Sequence, residues 1–284
     1  AEGIAELREA VRAEIGVGMI GVETRGDRIR DKAIPEIGGK GLFTEELEQG
    51  LLAEEIDLAV HSLKDLPTRL PDGLIYAGSP ARANPTDAFV SLTHQTLSEV
   101  PDDGVIATGS LRRRAQVAQQ LPGVNFLDLR GNIGTRLDKL RDHGWDGIIM
   151  ATAALERLER YDLIAEQLDP SRHVPAVSQG AIGVEAKETR MDVLDLIERI
   201  SDEETVRACT AERVFMRKLE GGCTVPLGGF CRREADQWAF YGWVGNTSGG
   251  SVIEDRSVGE NPDELADAMA DAFIEQGARE LLDV

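Results

Sequence analysis

Only three cysteines occur in 284 residues, Cys209, Cys223 and Cys231, and none stands in a Cys-x-x-Cys pair or at histidine spacing, so a structural metal has no ligand set. The ordinary role of such lone cysteines is that of small buried hydrophobes. Long apolar runs are missing too. No window of about twenty apolar residues occurs and no signal peptide is seen, which excludes a helical membrane span and points to a soluble, cytoplasmic protein. Lysine is scarce, confined to Lys32, Lys40, Lys64, Lys139, Lys187 and Lys218, so most positive charge is arginine. That charge is itself in deficit: 31 Lys and Arg face 51 Asp and Glu, a net charge of −20. Nucleic acid is thereby disfavoured as a partner, since its phosphates would be repelled everywhere except at a concentrated basic patch. The acid excess serves either solubility or a surface adapted to high salt. Internal repeats and low-complexity tracts are absent.

What is present is an alternation of elements. Strand-like apolar runs fall at 18–24, 56–61, 74–79, 87–92, 104–109, 124–129, 146–152 and 181–186, with amphipathic helical stretches at 42–55, 111–121 and 133–144. Strands alternating with helices predict an α/β fold with parallel sheets covered on both faces. From residue 203 the pattern changes to a long helix, hairpin-like strands (FCRRE, WAFYGWVG, SVIEDRSV) and a closing helix over 262–282, a small α+β domain. Two Pro-containing stretches, 79–85 and 173–180, read as paired crossovers. The domains expected are therefore 1–80 with 181–200, 86–175, and 203–284.

In open α/β sheets ligands bind outside the carboxyl ends of the strands. There the chain carries GGKGLF (38–43), HSLKD (61–65), ATGSLRRR (107–114) and LRGNIGTR (129–136). The Thr-Gly-Ser stretch opens a helix, where free N–H groups favour an anion, and Arg112, Arg113, Arg130 and Arg136 stand nearby. Each signal has an ordinary explanation: Thr-Gly-Ser is an N-cap, first-turn arginines are commonly solvated or paired, and Lys40 lacks the surroundings of a P-loop. Their coincidence at successive strand ends points to a polyanionic small molecule held by an α/β protein. Spacing alone goes no further.

The segments GGKGLFTEELE, DLAVHSLKDLP, TGSLRRRAQ, LRGNIGTRLDKL, PAVSQGAIGVE and LEGGCTVPLGG, in this order over nearly the whole chain, resemble the porphobilinogen deaminase (hydroxymethylbilane synthase) family. The resemblance implies two periplasmic-binding-protein-like α/β domains plus a small C-terminal α+β domain. It also implies a transferase that joins four porphobilinogen molecules head to tail, with loss of ammonia, into the linear tetrapyrrole hydroxymethylbilane. The chain grows on a dipyrromethane cofactor held by a thioether to the cysteine of the GGC motif, here Cys223.

By motif position the resemblance makes Asp65 the catalytic carboxylate, and assigns Lys64, Ser62, Thr108, Ser110, Arg112 and Arg113 to the cofactor. Arg130, Arg136, Arg157, Lys40 and Gln179 go to the substrate and the growing chain, whose acetates and propionates need cationic partners. His61 is read as a supporting or packing residue. No metal is implied, and the family expectation is a monomer. The charged, glycine-containing stretch 27–41 reads as a mobile cover.

Departures from the family pattern are few. The opening segment R-x-A-T-R-x-S-x-L-A is absent, so the natural protein is expected to carry residues before Ala1; Gly109 stands where many members have serine or alanine, and Ser178 where glycine is common. The alternative is a two-lobed solute-binding protein that does no chemistry.

Overall fold

The computed structural model describes residues 16, 18–22, 44–221, 225–246 and 250–282. In chain order these form helix α1 (Glu45–Leu52), strand β1 (Leu58–Ser62), a 3-10 turn over Leu63–Asp65 and strand β2 (Leu74–Gly78). There follow β3 (Asp87–Val90), β4 (Val105–Ala107), α2 (Leu111–Gln120), β5 (Asn125–Leu127), α3 (Ile133–His143), β6 (Gly147–Ala151), α4 (Thr152–Glu156) and the two-residue β7 (Glu166–Gln167). Next are β8 (Ile182–Lys187), α5 (Met191–Ile200) and α6 (Glu203–Lys218), then β9 (Leu227–Glu234), β10 (Gln237–Gly245), β11 (Val252–Gly259), α7 (Pro262–Glu275) and α8 (Ala278–Leu282). The chain divides into two compact units, Ala1–Arg82 with Ala181–Arg207, and Ala83–Gly180 with Ala208–Val284.

The first unit holds a three-stranded sheet of order β1-β8-β2, both pairings antiparallel. The expectation of purely parallel sheets fails here. β8 enters the sheet only after the whole of 83–180, arrives from the opposite end and runs between its two neighbours. Period-two alternation gives each face its own cover. Val184 and Ala186 pack with Val193 and Ile197 of α5 on one face, and Ala59 and Leu74 pack with Leu51 of α1 on the other.

The second unit contains a five-stranded sheet of order β5-β4-β6-β3-β7, in which β4 lies parallel to β5 and β6 while β3 is antiparallel to β6 and β7. Its inner strands β3 and β6 are buried along their whole length, covered on both faces, which explains their continuous apolar runs. Ala88, Val90, Ile148 and Met150 meet Leu137 and Leu140 of α3, while Phe89, Ile106 and Ile149 meet Val117 of α2. The third sheet, β11-β10-β9, is an antiparallel meander. On β10, Trp238, Phe240 and Val244 pack against Phe215 of α6 and Phe273 of α7, whereas Ala239, Tyr241 and Trp243 meet Val174 and Ala115 of α2. The two sheets of this unit are thus joined by a shared apolar contact.

Two further differences from the sequence expectation have local causes. The run 18–24 shows no strand over its described residues 18–22, and Met19 and Ile20 are exposed. No described strand pairs with it, and a strand without a neighbour has no ladder to stabilise it. The helix expected over 262–282 is two helices, parted at Gly277, whose φ of +86° suits glycine.

His173 is buried, and its Nε2 lies 3.1 Å from Gln120 Oε1. Burial pulls its pKa down to about 4 from 6.5, so the folded state holds it neutral. Between pH 6.5 and 4 the unfolded chain binds a proton that the native chain refuses. The stabilising contribution is therefore full above 6.5 and is lost as pH falls through this window, by up to about 3 kcal/mol. Urea unfolding at pH 7 and pH 4.5 should show that His173→Gln flattens this fall relative to the parent; an unchanged slope would remove His173 from that role.

Candidate functional site

The first unit positions the Ser62–Asp65 segment by burying alternate members of it. β1 ends at exposed Ser62, and the turn that follows buries Leu63 and Leu66 while leaving Lys64 half-buried and Asp65 exposed. Leu63 N donates to the Ala181 carbonyl at 3.0 Å. Opposite it, a Cβ at Gly183 would come within 2.5 Å of the Leu63 side chain, so glycine on β8 provides the room that seats this leucine. Lys64 and Asp65 are thereby carried outward on a turn nailed down on both sides.

Beneath them lies an unexpected acid. Glu185 on β8 is wholly buried; its Oε2 is 2.9 Å from His61 Nε2, and its Oε1 has no hydrogen-bond partner among the described residues. Glu48 of α1 is also buried, and burial pushes its carboxyl above the usual carboxylate range. His61 is thus buried and joins β1 to β8 one residue before Ser62.

In the second unit the Thr-Gly-Ser stretch is an N-cap: the Ser110 side chain accepts from Arg113 N, and Ser110 N donates to Thr108 Oγ1 at 3.2 Å. Arg112 and Arg113 follow in the first turn of α2, both buried. Arg112 Nη1 donates to Asp87 Oδ2 at 2.8 Å, to Gln116 Oε1 and to the Val174 carbonyl, while its Nε has no partner among the described residues. Arg113 Nε donates to Asp87 Oδ1 at 2.9 Å, its Nη1 to the Ile149 carbonyl and its Nη2 to Gln179 Oε1. Gln179 Nε2 donates to Asp87 Oδ1 and to the Pro85 carbonyl. Three of the expected site residues therefore converge on one buried carboxylate, Asp87, which sequence reasoning missed. The available signal was an acid opening a strand that is otherwise entirely apolar.

The remaining arginines lie elsewhere in the same unit. Arg157, at the end of α4, donates from Nη2 to the Gly180 carbonyl at 3.0 Å, next to Gln179. Arg130 and Arg136 flank the start of α3: Arg130 Nε lies 3.8 Å from Asp128 Oδ2, and Arg136 Nε donates to the Gly131 carbonyl. Both are half-buried. Lys40, the stretch 27–41 and Cys223 lie outside the described residues. Cys209 and Cys231 are both buried. Among the described residues no cluster of His, Cys, Asp and Glu has the arrangement to hold a metal ion, and no helix is long and apolar enough to cross a membrane.

Residues 2–195 match the family described as "Porphobilinogen deaminase, dipyromethane cofactor binding domain", and residues 206–275 the one described as "Porphobilinogen deaminase, C-terminal domain". The chain belongs to the porphobilinogen deaminase family. Porphobilinogen deaminase of Staphylococcus carnosus is 40% identical over 280 residues, covering 98% of this chain and 91% of that protein. A porphobilinogen deaminase of Bacillus cereus is 44% identical over 263 residues, 92% and 85% of the two chains. Among solved structures, a nutrient binding protein from Burkholderia cenocepacia bound to methionine matches with a TM-score of 0.36 and 10% identity over 56% of this chain and 77% of that one, too low to support any argument.

The donor set of the second unit fits the anionic side chains of the family's dipyrromethane. It joins a helix N-terminus, the hydroxyls of Thr108 and Ser110, and two guanidiniums of which Arg112 keeps a buried N–H unspent.

Beside Gln179, Ser178 adopts φ +62°, a left-handed conformation that favours glycine, and its buried Oγ has no partner among the described residues. The backbone is held there because Ser178 N donates to Glu212 Oε2 at 2.6 Å, and Glu212 Oε1 accepts from Cys231 N at 2.8 Å. Ser178→Gly should therefore stabilise the protein by about 1 kcal/mol, read as a raised urea midpoint with unchanged slope. A lowered midpoint would show that the hydroxyl is not the liability this geometry makes it.

Proposed function

We propose that this member of the porphobilinogen deaminase family polymerises four porphobilinogen molecules head to tail, releasing ammonia, into hydroxymethylbilane, and that it does so as a cytoplasmic monomer. Membership of both domain families, at 40% identity over 98% of the chain, carries this reading and disfavours a solute-binding protein without chemistry.

The dipyrromethane, when bound, supplies the pyrrole end onto which each new unit is added. Cys223 is the residue we assign to its thioether, and the stretch 203–284 the domain that presents it. Cys209 and Cys231 are buried, one in α6 and one in β9, so neither sulfur is offered to a ligand. In the sequence Cys223 follows Gly221 and Gly222, two residues that carry no side chain to stand in front of its thiol.

Asp65 is assigned the chemistry. When ammonia leaves porphobilinogen, positive charge spreads over the pyrrole; an outward-facing carboxylate on a rigid turn hydrogen-bonds the pyrrole N–H and stabilises that charge as it develops. The same carboxylate moves protons, to the departing amine and from the carbon that has just formed the new bond. Lys64 and Ser62, one and three residues before it, are assigned to carboxylate side chains of the bound pyrroles. Arg112, Arg113, Thr108 and Ser110 hold the cofactor's acetates and propionates. Arg130, Arg136, Arg157, Gln179 and Lys40 receive those of the lengthening chain, so that losing one arginine stalls a particular elongation step.

Asp65→Asn keeps the shape and removes the charge. Turnover to hydroxymethylbilane should fall by about 10²–10³-fold with the fold retained by circular dichroism. Turnover within about twofold of the parent would take Asp65 out of its assigned role.

A further inference from the structure

Asp87 is assigned no role by the family motifs, yet its side chain is engaged by Arg112, Arg113 and Gln179 together. It is 1% exposed at the first residue of β3. One carboxylate oxygen takes Arg112; the other takes both Arg113 and Gln179. Arg113 Nη2 also lies 2.8 Å from Oδ1, so Arg113 presents two of its nitrogens to one oxygen. Burial alone would raise the Asp87 carboxyl, but the two guanidiniums outweigh it and hold the group well below the usual carboxylate range.

The charge count of this buried cluster is uneven. Two guanidiniums share one carboxylate, and among the described residues neither Arg112 nor Arg113 hydrogen-bonds to a second acid. A surplus of one positive charge is thus retained in a poorly solvated place, where an arriving carboxylate is attracted more strongly than in water. The geometry is equally constrained. Asp87 sits at the start of β3, the arginines in the first turn of α2, and Gln179 in the crossover that ends at Gly180. Gln179 ties this crossover to the Pro85 and Thr86 carbonyls.

We propose that Asp87 is a positioning residue for the reaction: it sets the angle and spacing of the Arg112 and Arg113 guanidiniums and limits their charge to a surplus of one, so that the pair accepts a carboxylate of the dipyrromethane. This rests on the reading of those arginines as carboxylate-binding residues. Without Asp87, two like charges face each other at the same place and separate, and the pair loses its preset geometry. A purely structural Asp87 would affect stability and nothing else.

Full-length Asp87→Asn, Asp87→Glu and Arg113→Met, made alongside the parent, separate these roles. Three quantities are read: the thermal midpoint, the share of molecules carrying the two-pyrrole mass increment, and kcat and KM for porphobilinogen. Asp87→Asn should load less than about a tenth of its molecules. Asp87→Glu keeps the charge and displaces the guanidiniums by about one methylene; it should load in part and lose about 10²-fold in kcat/KM, chiefly through KM. Arg113→Met should load poorly as well. If either Asp87 variant loads fully with parental KM and only the midpoint falls, while Arg113→Met is defective, the inference about Asp87 is wrong and the reading of the arginines stands. If Arg113→Met loads fully and binds normally, that reading fails and the inference goes with it. If neither Asp87 variant gives a folded chain by circular dichroism, Asp87 belongs to the fold and the inference is likewise overturned.

Discussion

A carboxylate and two guanidiniums cannot be taken out of water unless each finds the others, and the second unit is organised around that requirement. Burying an ion without a partner costs several kcal/mol, while breaking such a pair by removing one member costs about 3–5 kcal/mol. Asp87, Arg112, Arg113, Gln179 and Gln116 meet it together, satisfying most of their polar atoms on one another and on the carbonyls of Val174, Ile149 and Pro85. The start of β3, the first turn of α2 and the 173–180 crossover therefore have one mutual arrangement, and the arginines of the proposed cofactor site are fixed by what also fixes the fold. The shared contact of Val174 and Ala115 with Tyr241 and Trp243 extends the same arrangement to the β9-β10-β11 sheet.

The first unit uses a similar device on a smaller scale. Glu185 lies between Val184 and Ala186 on the central strand, where an acid is costly, and His61 answers it from β1. The outcome is that β1 is joined to β8 by a polar pair as well as by its ladder at the very point where the chain turns out to present Lys64 and Asp65. In both units a buried acid next to site residues replaces some of the apolar packing that a sheet would otherwise have. This is the pattern expected where geometry is held for function.

Much of this was legible in the sequence, because apolar periodicity and capping residues act locally. The strands at β1 to β6 and at β8, the helices α1, α2 and α3, and the Ser110 cap follow from residues within one element. The outward display of Lys64 and Asp65 follows from Leu63 and Leu66 in the same way. What was not legible depends on residues far apart in the chain. An aspartate in DAFV or a glutamate in GVEA reads as a solvated charge until its partner, 25 and 124 residues away, is known. Strand direction in the first unit depends on where β8 arrives, which no local pattern encodes. The left-handed Ser178 is strained only because Glu212 of α6 grips its amide. The family resemblance supplied the candidate residues by position, but a motif names a residue without naming what holds it.

The central claim is that the chain builds its product on two linked pyrroles joined to Cys223, and mass mapping of the purified protein tests it most directly. Trypsin leaves Cys209 in the short peptide 208–213, and Cys223 with Cys231 in the peptide 219–232, where fragment ions tell the two apart. The account predicts an increment of two pyrrole units on the 219–232 peptide, located by its fragments at Cys223. An unmodified 219–232 peptide from active protein, or the same increment located at Cys231 or Cys209, would contradict it.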